Sequence, residues 1–214
     1  MAVRVLFTSQ KGGVGKSTLA RSLAVAGAER GDRVLLADFD TEQLTCVGWQ
    51  AQRVARELEP EIEVASFKRL KKLEAVEERY DLVVLDTRGL VDKQTMQLAK
   101  WVDAVVLPTG FSSDDLMPTM MLAEKLKSGG VPRQKLAVVF ARGGRSERQE
   151  EDARATVRMN GVTALQAVLP WRDGYVNSLA AGRALRESAN PFLREAAESV
   201  DAAMLRFMTR ARRA

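Results

Sequence analysis

The segment that most constrains the fold spans residues 11–18 and reads KGGVGKST. It follows an apolar run over residues 3–8 that predicts a buried strand, and it precedes a helical pattern near residues 17–30. Glycines at this point let the backbone turn tightly and direct its N–H groups at phosphate oxygens. The start of the helix adds a positive dipole end. The strand, loop and helix together predict a phosphate-binding P-loop.

Two residues of this loop have predicted roles in phosphate binding. We expect Lys16 to reach the β- and γ-phosphates and the Ser17 hydroxyl to bind Mg²⁺. The strict pattern GxxxxGK[ST] is not met, because Gln10 stands where its first glycine would be, and a second lysine, Lys11, follows. A glycine-rich turn with chance lysines is the alternative interpretation. The predicted nucleotide-binding residues of the loop are Lys11, Gly12, Gly13, Val14, Gly15, Lys16, Ser17 and Thr18.

Strand-like apolar runs alternate with helical patterns along the rest of the chain. The further predicted strands cover residues 33–37, 62–65, 82–86, 104–107, 136–140 and 163–168. Helical patterns lie near residues 45–58, 68–79, 92–100, 114–128, 147–160, 175–187 and 191–211. Strands rich in Val and Leu that are separated by helices predict an α/β fold, with a mostly parallel central sheet flanked by helices on both faces. We expect a single domain over residues 1–214.

Acidic residues follow two of these strands, where ligands bind in such sheets. Asp38 and Asp40 come after the second strand, and their spacing of two residues points both side chains the same way if strand geometry persists. Asp86 ends the apolar run of residues 82–85 in a Walker B pattern, so we expect it to hold Mg²⁺ through water. Solvated turn acids are the alternative, which fits Glu42 better than Asp40.

Composition narrows the chemistry further. The chain has no histidine, which excludes Ser-His-Asp and Cys-His arrangements and histidine metal ligands. Cys46 is the single cysteine, so no disulfide or four-cysteine zinc site forms within one chain, and we interpret it as a packing residue. A net charge of +5 and a pI near 9.5 favour a polyanionic partner. Neither a transmembrane run nor a signal peptide is recognisable, so we expect a cytoplasmic protein.

The loop with its extra lysine resembles the deviant Walker A motif of the ParA/MinD family of ATPases. Residues 45–53, 107–116 and 170–182 also resemble segments of that family. The start of the loop at residue 11 places the chain with the short ParA-like proteins. The resemblance implies a P-loop NTPase whose two subunits sandwich two ATP molecules, with Lys11 reaching across to the partner's phosphates. A fixed cation there would neutralise charge on the transferred phosphoryl group.

The resemblance also assigns roles to residues beyond the loop. Asp40 takes the position of the acid that orients the attacking water, and Asp38 would support the Mg²⁺ and water network. The metal-site residues are therefore Ser17, Asp38, Asp40 and Asp86. Arg88 replaces the family's proline after the Walker B acid, and it could touch phosphate, pair with an acid or face solvent. The family's Asn-Arg pair near the adenine reads Ala141-Arg142 here, so Arg142 and Pro170 are the predicted base contacts.

The family's partners suggest partners for this chain. Its members bind DNA without sequence preference as ATP dimers, and the basic residues predicted to do so here are Arg145, Arg158, Arg172, Arg183, Arg186, Arg206 and Arg210. Val200, Met204, Phe207 and Met208 recur at helical spacing beside terminal arginines. We interpret this stripe first as packing onto the sheet, and second as a MinD-like membrane helix.

The resulting prediction is a slow Mg·ATPase that forms an ATP-dependent homodimer and binds nonspecific DNA, so that it associates with the nucleoid when ATP is bound. A ParB-like or other small partner would stimulate hydrolysis and so position or segregate a plasmid, chromosome or protein assembly. Two alternatives stay open. One is a MinD-like membrane ATPase, and the other is a small-molecule ATP-dependent ligase of the dethiobiotin synthetase type, which does not need Lys11.

Overall fold

The computed structural model describes residues 2–89, 92–141, 146–170 and 173–213. In these residues seven strands form one sheet in the order β3-β2-β4-β1-β5-β6-β7, and every neighbouring pair is parallel. The strands are β1 (Val3–Phe7), β2 (Val34–Asp38), β3 (Glu63–Ser66), β4 (Leu82–Asp86), β5 (Ala104–Thr109), β6 (Leu136–Ala141) and β7 (Thr163–Leu169). The predicted α/β fold with a parallel central sheet is confirmed.

Helices lie between the strands and after the last one. They are α1 (Lys16–Glu29), α2 (Thr45–Ala55), α3 (Leu70–Glu74), α4 (Lys93–Trp101), α5 (Ser113–Ser128), α6 (Glu147–Met159), α7 (Asp173–Ala180) and α8 (Pro191–Ala211). Two predicted helical patterns are interrupted in the structure. The first divides into α3 and a 3₁₀ turn at Glu77–Arg79, and the second into α7 and a 3₁₀ turn at Leu185–Glu187. Gly182 separates the second pair with a φ of 74°, a left-handed conformation that ends a helix.

The sheet has a hydrophobic core on each face, because successive side chains of a strand point to opposite sides. In β1, Val5 and Phe7 join the core under α1, α2 and α8, whereas Leu6 joins the core under α4, α5 and α6. Strand β4 is buried along its whole length. The two covered faces explain why the strands read as continuous Val and Leu runs.

Helix α8 uses its apolar stripe for packing. Val200, Met204, Phe207 and Met208 are all at most 2% exposed and belong to the core that α8 shares with α1 and the sheet. The first interpretation of this stripe, packing onto the sheet, is therefore confirmed. In the described part of the chain, no helix is long and apolar enough to cross a lipid bilayer.

The segment from Gly182 to Glu187 is tied to α2 by a buried arginine. The Arg53 side chain is 2% exposed and donates to the backbone oxygen of Gly182 at 3.2 Å and to Glu187 Oε2 at 2.6 Å. Its guanidinium carbon lies 5.0 Å from the centroid of the Trp49 ring, and the Trp49 indole donates to the backbone oxygen of Arg183 at 3.2 Å. These contacts hold α2 against the chain that follows α7.

This close approach predicts a strong effect of Gly182→Ala. A Cβ at residue 182 would lie 2.9 Å from backbone atoms of Gln52 and Arg53, whereas Gly161, with a φ of 69°, has open space around the same position. Gly161→Ala should cost about 1 kcal/mol for its left-handed backbone, and Gly182→Ala about 1–3 kcal/mol more because α2 must move. Urea unfolding of both variants measures the difference. Equal losses of stability would show that α2 yields without cost.

A buried carboxyl on α8 predicts a pH dependence of stability. Asp201 accepts hydrogen bonds from Ser22 at 2.9 Å and from Arg186 at 3.0 Å. Burial nevertheless raises the pKa of Asp201 from 3.8 to about 7. At pH values between 3.8 and about 7, Asp201 keeps a proton in the folded chain that it has lost in the unfolded chain. The free energy of unfolding should therefore fall as pH rises through this window, by at most about 1.4 kcal/mol per pH unit from this group.

The variant Asp201→Asn removes this titration and should flatten the profile. Unfolding at a series of pH values, in wild-type and variant protein side by side, isolates the contribution from that of other groups. Parallel profiles from about pH 4 to about 7 would contradict the assignment to Asp201.

Candidate nucleotide-binding site

The phosphate loop lies between the end of β1 at Phe7 and the start of α1 at Lys16. Gly13 and Gly15 have φ values of 73° and 92°, a region that residues with a Cβ rarely adopt. Gly15 is the residue that caps the start of α1. The loop therefore needs glycine at these two positions, and it brings backbone N–H groups and the positive end of the α1 dipole to one place.

A cavity of about 590 Å³ opens beside this loop. It brings together Asp40 and Pro170 with all eight predicted loop residues, whereas Asp38 and Asp86 are completely buried. The predicted base contact Arg142 lies outside the described residues. The other lining residues are Ser9, Arg21, Glu42, Gln43, Thr45, Arg88, Gly89, Ala141, Leu169, Tyr175, Val176, Leu179 and Leu185. The volume and the mixture of polar and apolar lining suit a nucleotide.

Lys16 forms an ion pair with the Walker B acid. Its Nζ lies 3.0 Å from Asp86 Oδ1 and 3.5 Å from the Ser17 hydroxyl. The other carboxylate oxygen, Asp86 Oδ2, accepts a hydrogen bond from the Cys46 thiol at 3.3 Å. Because the ammonium group is a compact point charge on a flexible stem, it can exchange Asp86 for phosphate oxygens without a movement of α1.

Asp38 organises the loop that carries Asp40. One oxygen of Asp38 accepts the N–H of Asp40 at 3.0 Å, and the other accepts the N–H of Cys46, in the first turn of α2, at 2.9 Å. Burial raises the pKa of Asp38, and the neighbouring charge of Asp86 adds to this rise. Burial likewise raises the pKa of the Cys46 thiol well above its usual value, so Cys46 is a neutral packing group. Asp40 itself is 8% exposed and accepts the N–H of Gln43 at 3.2 Å.

The donor set suits a hard cation. Ser17 and Asp40 line the cavity, and Asp86 contacts the ammonium of the adjacent Lys16, so hydroxyl and carboxylate oxygens surround the phosphate loop. Across the described residues no three acids, cysteines or histidines converge as a ready metal cage. Mg²⁺ in phosphate-binding sites uses one or two protein oxygens and takes the rest from phosphates and water. The residues present fit that kind of Mg²⁺ site.

Lys11 lines the cavity, but its ammonium is bonded to an acid of another element. Its Nζ lies 2.6 Å from Asp115 Oδ1 in the first turn of α5 and 3.4 Å from the backbone oxygen of Asp114. The Lys11 side chain is 43% exposed. Asp115 also accepts a hydrogen bond from Ser112, the residue that caps α5. The second lysine of the loop is thus held at the rim of the site by an acid of another element.

Arg88 pairs with an acid, the second of the three alternatives open from the sequence. Its Nη1 lies 3.0 Å from Glu42 Oε1, in a pair whose side chains are 40% and 74% exposed. Such an exposed pair contributes about 0–1 kcal/mol. The Arg88–Glu42 pair joins the segment after β2 to the segment after β4 beside the cavity.

Apolar residues also line the cavity, and most of them lie in segment 170–182, which resembles the family's loop and helix near the nucleotide base. Leu169, Tyr175, Val176 and Leu179 line the cavity together with Pro170, the predicted base contact. The Tyr175 hydroxyl donates to the backbone oxygen of Leu193 at 2.7 Å, which fixes its ring. These residues come from β7 and α7, and helical spacing alone did not distinguish them from core residues.

The arginines predicted to bind DNA differ in their surroundings. Arg183, Arg206 and Arg210 are exposed, and Arg158 forms an ion pair with Glu151 at 2.5 Å. Arg186 lies 2.8 Å from Glu29 and 3.0 Å from Asp201, and its side chain is 16% exposed, so it is bonded to acids of α1 and α8. Arg145 and Arg172 lie outside the described residues.

Comparison with known proteins identifies the family of this chain. The family model CbiA, the CobQ/CobB/MinD/ParA nucleotide binding domain, matches residues 5–185. The chain belongs to this family. The ParA/MinD membership expected from Lys11 and the phosphate loop is thereby confirmed. A 40-residue segment is 55% identical to the septum site-determining protein MinD of Helicobacter pylori, over 19% of this chain and 15% of that protein.

Solved structures share the fold over nearly the whole chain. The cell division ATPase MinD of Pyrococcus furiosus has a TM-score of 0.71 at 20% identity, over 96% of this chain and 99% of that one. A putative plasmid partition protein of Borrelia burgdorferi bound to AMPPNP has a TM-score of 0.76 at 16% identity, over 96% and 99%. MinD of Pyrococcus horikoshii complexed with Mg-ADP has a TM-score of 0.74 at 20% identity, over 95% and 96%. At these identities the likeness shows the fold.

The position of Lys16 predicts that Lys16→Ala abolishes nucleotide binding. Lys16 is the lysine at the start of α1 that faces both Ser17 and Asp86, so its loss removes the phosphate ligand and leaves the buried Asp86 without its cation. Titration with a fluorescent ATP analogue measures the affinity. Lys11→Ala is the control. Because the Lys11 ammonium is bonded to Asp115, its loss should leave the affinity of a single chain for nucleotide nearly unchanged. Wild-type affinity in Lys16→Ala would contradict the assignment.

Proposed function

We propose that this chain is a ParA-like ATPase that binds Mg·ATP and forms a dimer in which each subunit completes the other's active site. The observation that carries the proposal is the ion pair that Lys11 forms. Its ammonium lies at the rim of the cavity and is bonded to Asp115, not to a group that holds phosphate in its own chain. A lysine with this partner supports a role of Lys11 in the site of a second copy. The domain that performs this function spans residues 1–214.

The residues divide the chemistry of hydrolysis among them. The backbone N–H groups of residues 12–18 and the Lys16 ammonium bind the phosphates, and Ser17 and Asp86 hold Mg²⁺, with Asp38 supporting its ligands. Bound Mg²⁺ supplies positive charge on the phosphate oxygens. Asp40 lines the cavity and has one oxygen fixed by Gln43, so its carboxylate orients the attacking water. Lys11 of the second copy neutralises the charge that develops on the transferred phosphoryl group.

This division of labour predicts that two inactive variants restore activity when mixed. Asp40→Ala lacks the water-orienting acid of its own site but keeps Lys11, whereas Lys11→Ala keeps Asp40. A mixed dimer therefore contains one complete site. Each variant alone should hydrolyse ATP at background rate, and an equal mixture should recover about a quarter of the wild-type rate, because about half of randomly paired dimers are mixed. Phosphate release measures the rate, and light scattering with ATP measures the dimer.

The mixture distinguishes action in trans from action within one chain. If Lys11 served its own site, the mixed dimer would contain no complete site and the mixture would stay inactive. Normal hydrolysis by Asp40→Ala alone would show that another group orients the water.

We further propose that the ATP dimer binds DNA without sequence preference and associates with the nucleoid. Arg206 and Arg210 support this proposal, because they are exposed four residues apart on one face of α8 while the opposite face is buried. Exposed arginine rows bind phosphates and release counterions, so affinity falls with salt. The buried stripe of α8 leaves these cations on a face that lacks the apolar residues of a membrane helix.

Charge reversal at this face tests DNA binding. Arg206→Glu with Arg210→Glu should weaken binding to random duplex DNA by at least about tenfold and lower the salt slope by about two for each subunit that contacts the DNA. Lys71→Glu with Lys72→Glu, on α3 at the other face of the sheet, is the control with the same change in charge and should bind nearly as the wild type does. Fluorescence anisotropy with ATP gives both quantities. Binding to anionic liposomes in place of DNA would support the membrane alternative.

A partner protein completes the proposed cycle. Stimulation of hydrolysis by a ParB-like or other small activating protein would dissociate the dimer from DNA and so position or segregate a cargo. The family relation and the rim that Lys11 and the Arg88–Glu42 pair form support a site that opens toward other chains.

A further inference from the structure

The cavity contains a buried cation that the mechanism above does not use. Arg21, on the second turn of α1, lines the cavity and is 7% exposed. Its Nη2 donates to the backbone oxygen of Thr45 at 2.6 Å, and its guanidinium carbon lies 5.7 Å from the centroid of the Trp49 ring. Its Nε is buried and has no hydrogen-bond partner in the described part of the chain.

The charge of Arg21 is not neutralised by an acid. A buried guanidinium costs several kcal/mol unless an anion pairs with it. Among the described residues no carboxylate forms an ion pair with Arg21, and the strand-end acids have other donors: backbone N–H groups for Asp38, and Lys16 for Asp86. Thr45 opens α2, so the guanidinium also lies at the positive end of a helix dipole, where cations are disfavoured. Both features favour an anionic ligand beside Arg21.

The exposure of the lining residues indicates which part of the ligand reaches Arg21. Lys11, Glu42 and Arg88, whose side chains are 43%, 74% and 40% exposed, mark the open end. Arg21 and Leu185, which are 7% and 1% exposed, mark the closed end. Because Lys11 of a second copy enters from the open end, the terminal phosphate of ATP faces that end. The closed end then receives phosphates nearer the sugar, which ATP and ADP share.

We propose that Arg21 is a nucleotide-binding residue whose guanidinium contacts a phosphate group common to ATP and ADP. This inference rests on the proposed function, since it requires that the cavity hold a nucleoside diphosphate or triphosphate. It adds a cation to the phosphate loop from within α1, at the position where α1 meets α2. The contact gives the unpartnered Nε an acceptor and the buried charge its counter-ion.

Arg154 provides a matched control. It is also 7% exposed, donates to the backbone oxygens of Leu165 at 2.6 Å and Gln166 at 2.8 Å, and lies 5.1 Å from the centroid of the Phe140 ring. It therefore has the burial, the backbone acceptors and the aromatic neighbour that Arg21 has, but it does not line the cavity. A purely structural role of Arg21, joining α1 to α2, would make the two arginines equivalent with respect to nucleotide.

The experiment compares Arg21→Met with Arg154→Met. Each replaces a buried cation by an apolar side chain of similar length. Dissociation constants for ATP and for ADP are measured by titration calorimetry, and thermal unfolding without nucleotide is measured in parallel. Arg21→Met should weaken both nucleotides by the same factor, about tenfold to a hundredfold, as expected for a charged hydrogen bond. Arg154→Met should lower the unfolding temperature but change the affinities less than about threefold.

Arg21→Gln is measured as well, in case Arg21→Met does not fold. Its amide can keep the hydrogen bond to Thr45 but carries no charge. It should show the same loss of affinity. Wild-type affinity in both Arg21 variants, a loss confined to ATP, or an equal loss in Arg154→Met would overturn the inference while leaving the proposed function intact. If the wild-type chain binds neither ATP nor ADP, the proposed function falls and this inference with it.

Discussion

The register of three parallel strands determines the site. Phe7 of β1 is paired with Asp86 of β4, and Asp86 is paired with Asp38 of β2. The phosphate loop therefore begins beside two carboxylates that stand on neighbouring strands and are completely buried. A slip of one residue in either pairing would turn an acid into a hydrophobic core, because side chains alternate between the faces of a strand. The hydrophobic residues that cover both faces of the sheet thus also fix the position of the acids.

Two adjacent buried carboxylates need partners that offset the cost of burying their charge, and Asp38 and Asp86 have different kinds of partner. Asp86 receives the ammonium of Lys16, whereas Asp38 receives two backbone N–H groups and has a raised pKa. Asp38 therefore acts as a fixed acceptor that shapes the chain around Asp40. Asp86 is instead paired with an ammonium on a flexible stem, which a ligand with phosphate groups and Mg²⁺ can displace. The difference in partners separates a structural acid from one available for a metal.

Much of this arrangement could be predicted from the sequence, since it follows from local patterns. Apolar runs gave the strands to within two residues, and the loop glycines with Lys16 and Ser17 indicated the phosphate site. What could not be predicted depends on contacts between distant segments. Nothing local to Asp115 marks it as the partner of Lys11, more than a hundred residues away. Arg186 reads as one more basic residue near the terminus, yet the fold places it between Glu29 and Asp201. Arg21 is a basic residue in α1 that no local pattern marks as buried, and only its contacts with Thr45 and Trp49 of α2 show that it is.

The two lysines of the loop also differ in how firmly the free chain holds them. The Lys16 pair is buried, with side chains 13% and 1% exposed, whereas the Lys11 side chain is 43% exposed beside Asp115. In the proposed dimer, the release of this partly exposed ion pair costs less than the gain from a triphosphate in the second chain. Asp115 then keeps Lys11 ordered without competing strongly for it. An ion pair at the rim that orders a long side chain lowers the entropy lost when the lysine later binds elsewhere. In the proposed dimer, this weak bond within one chain thus favours a stronger bond of Lys11 to the phosphates of the other chain.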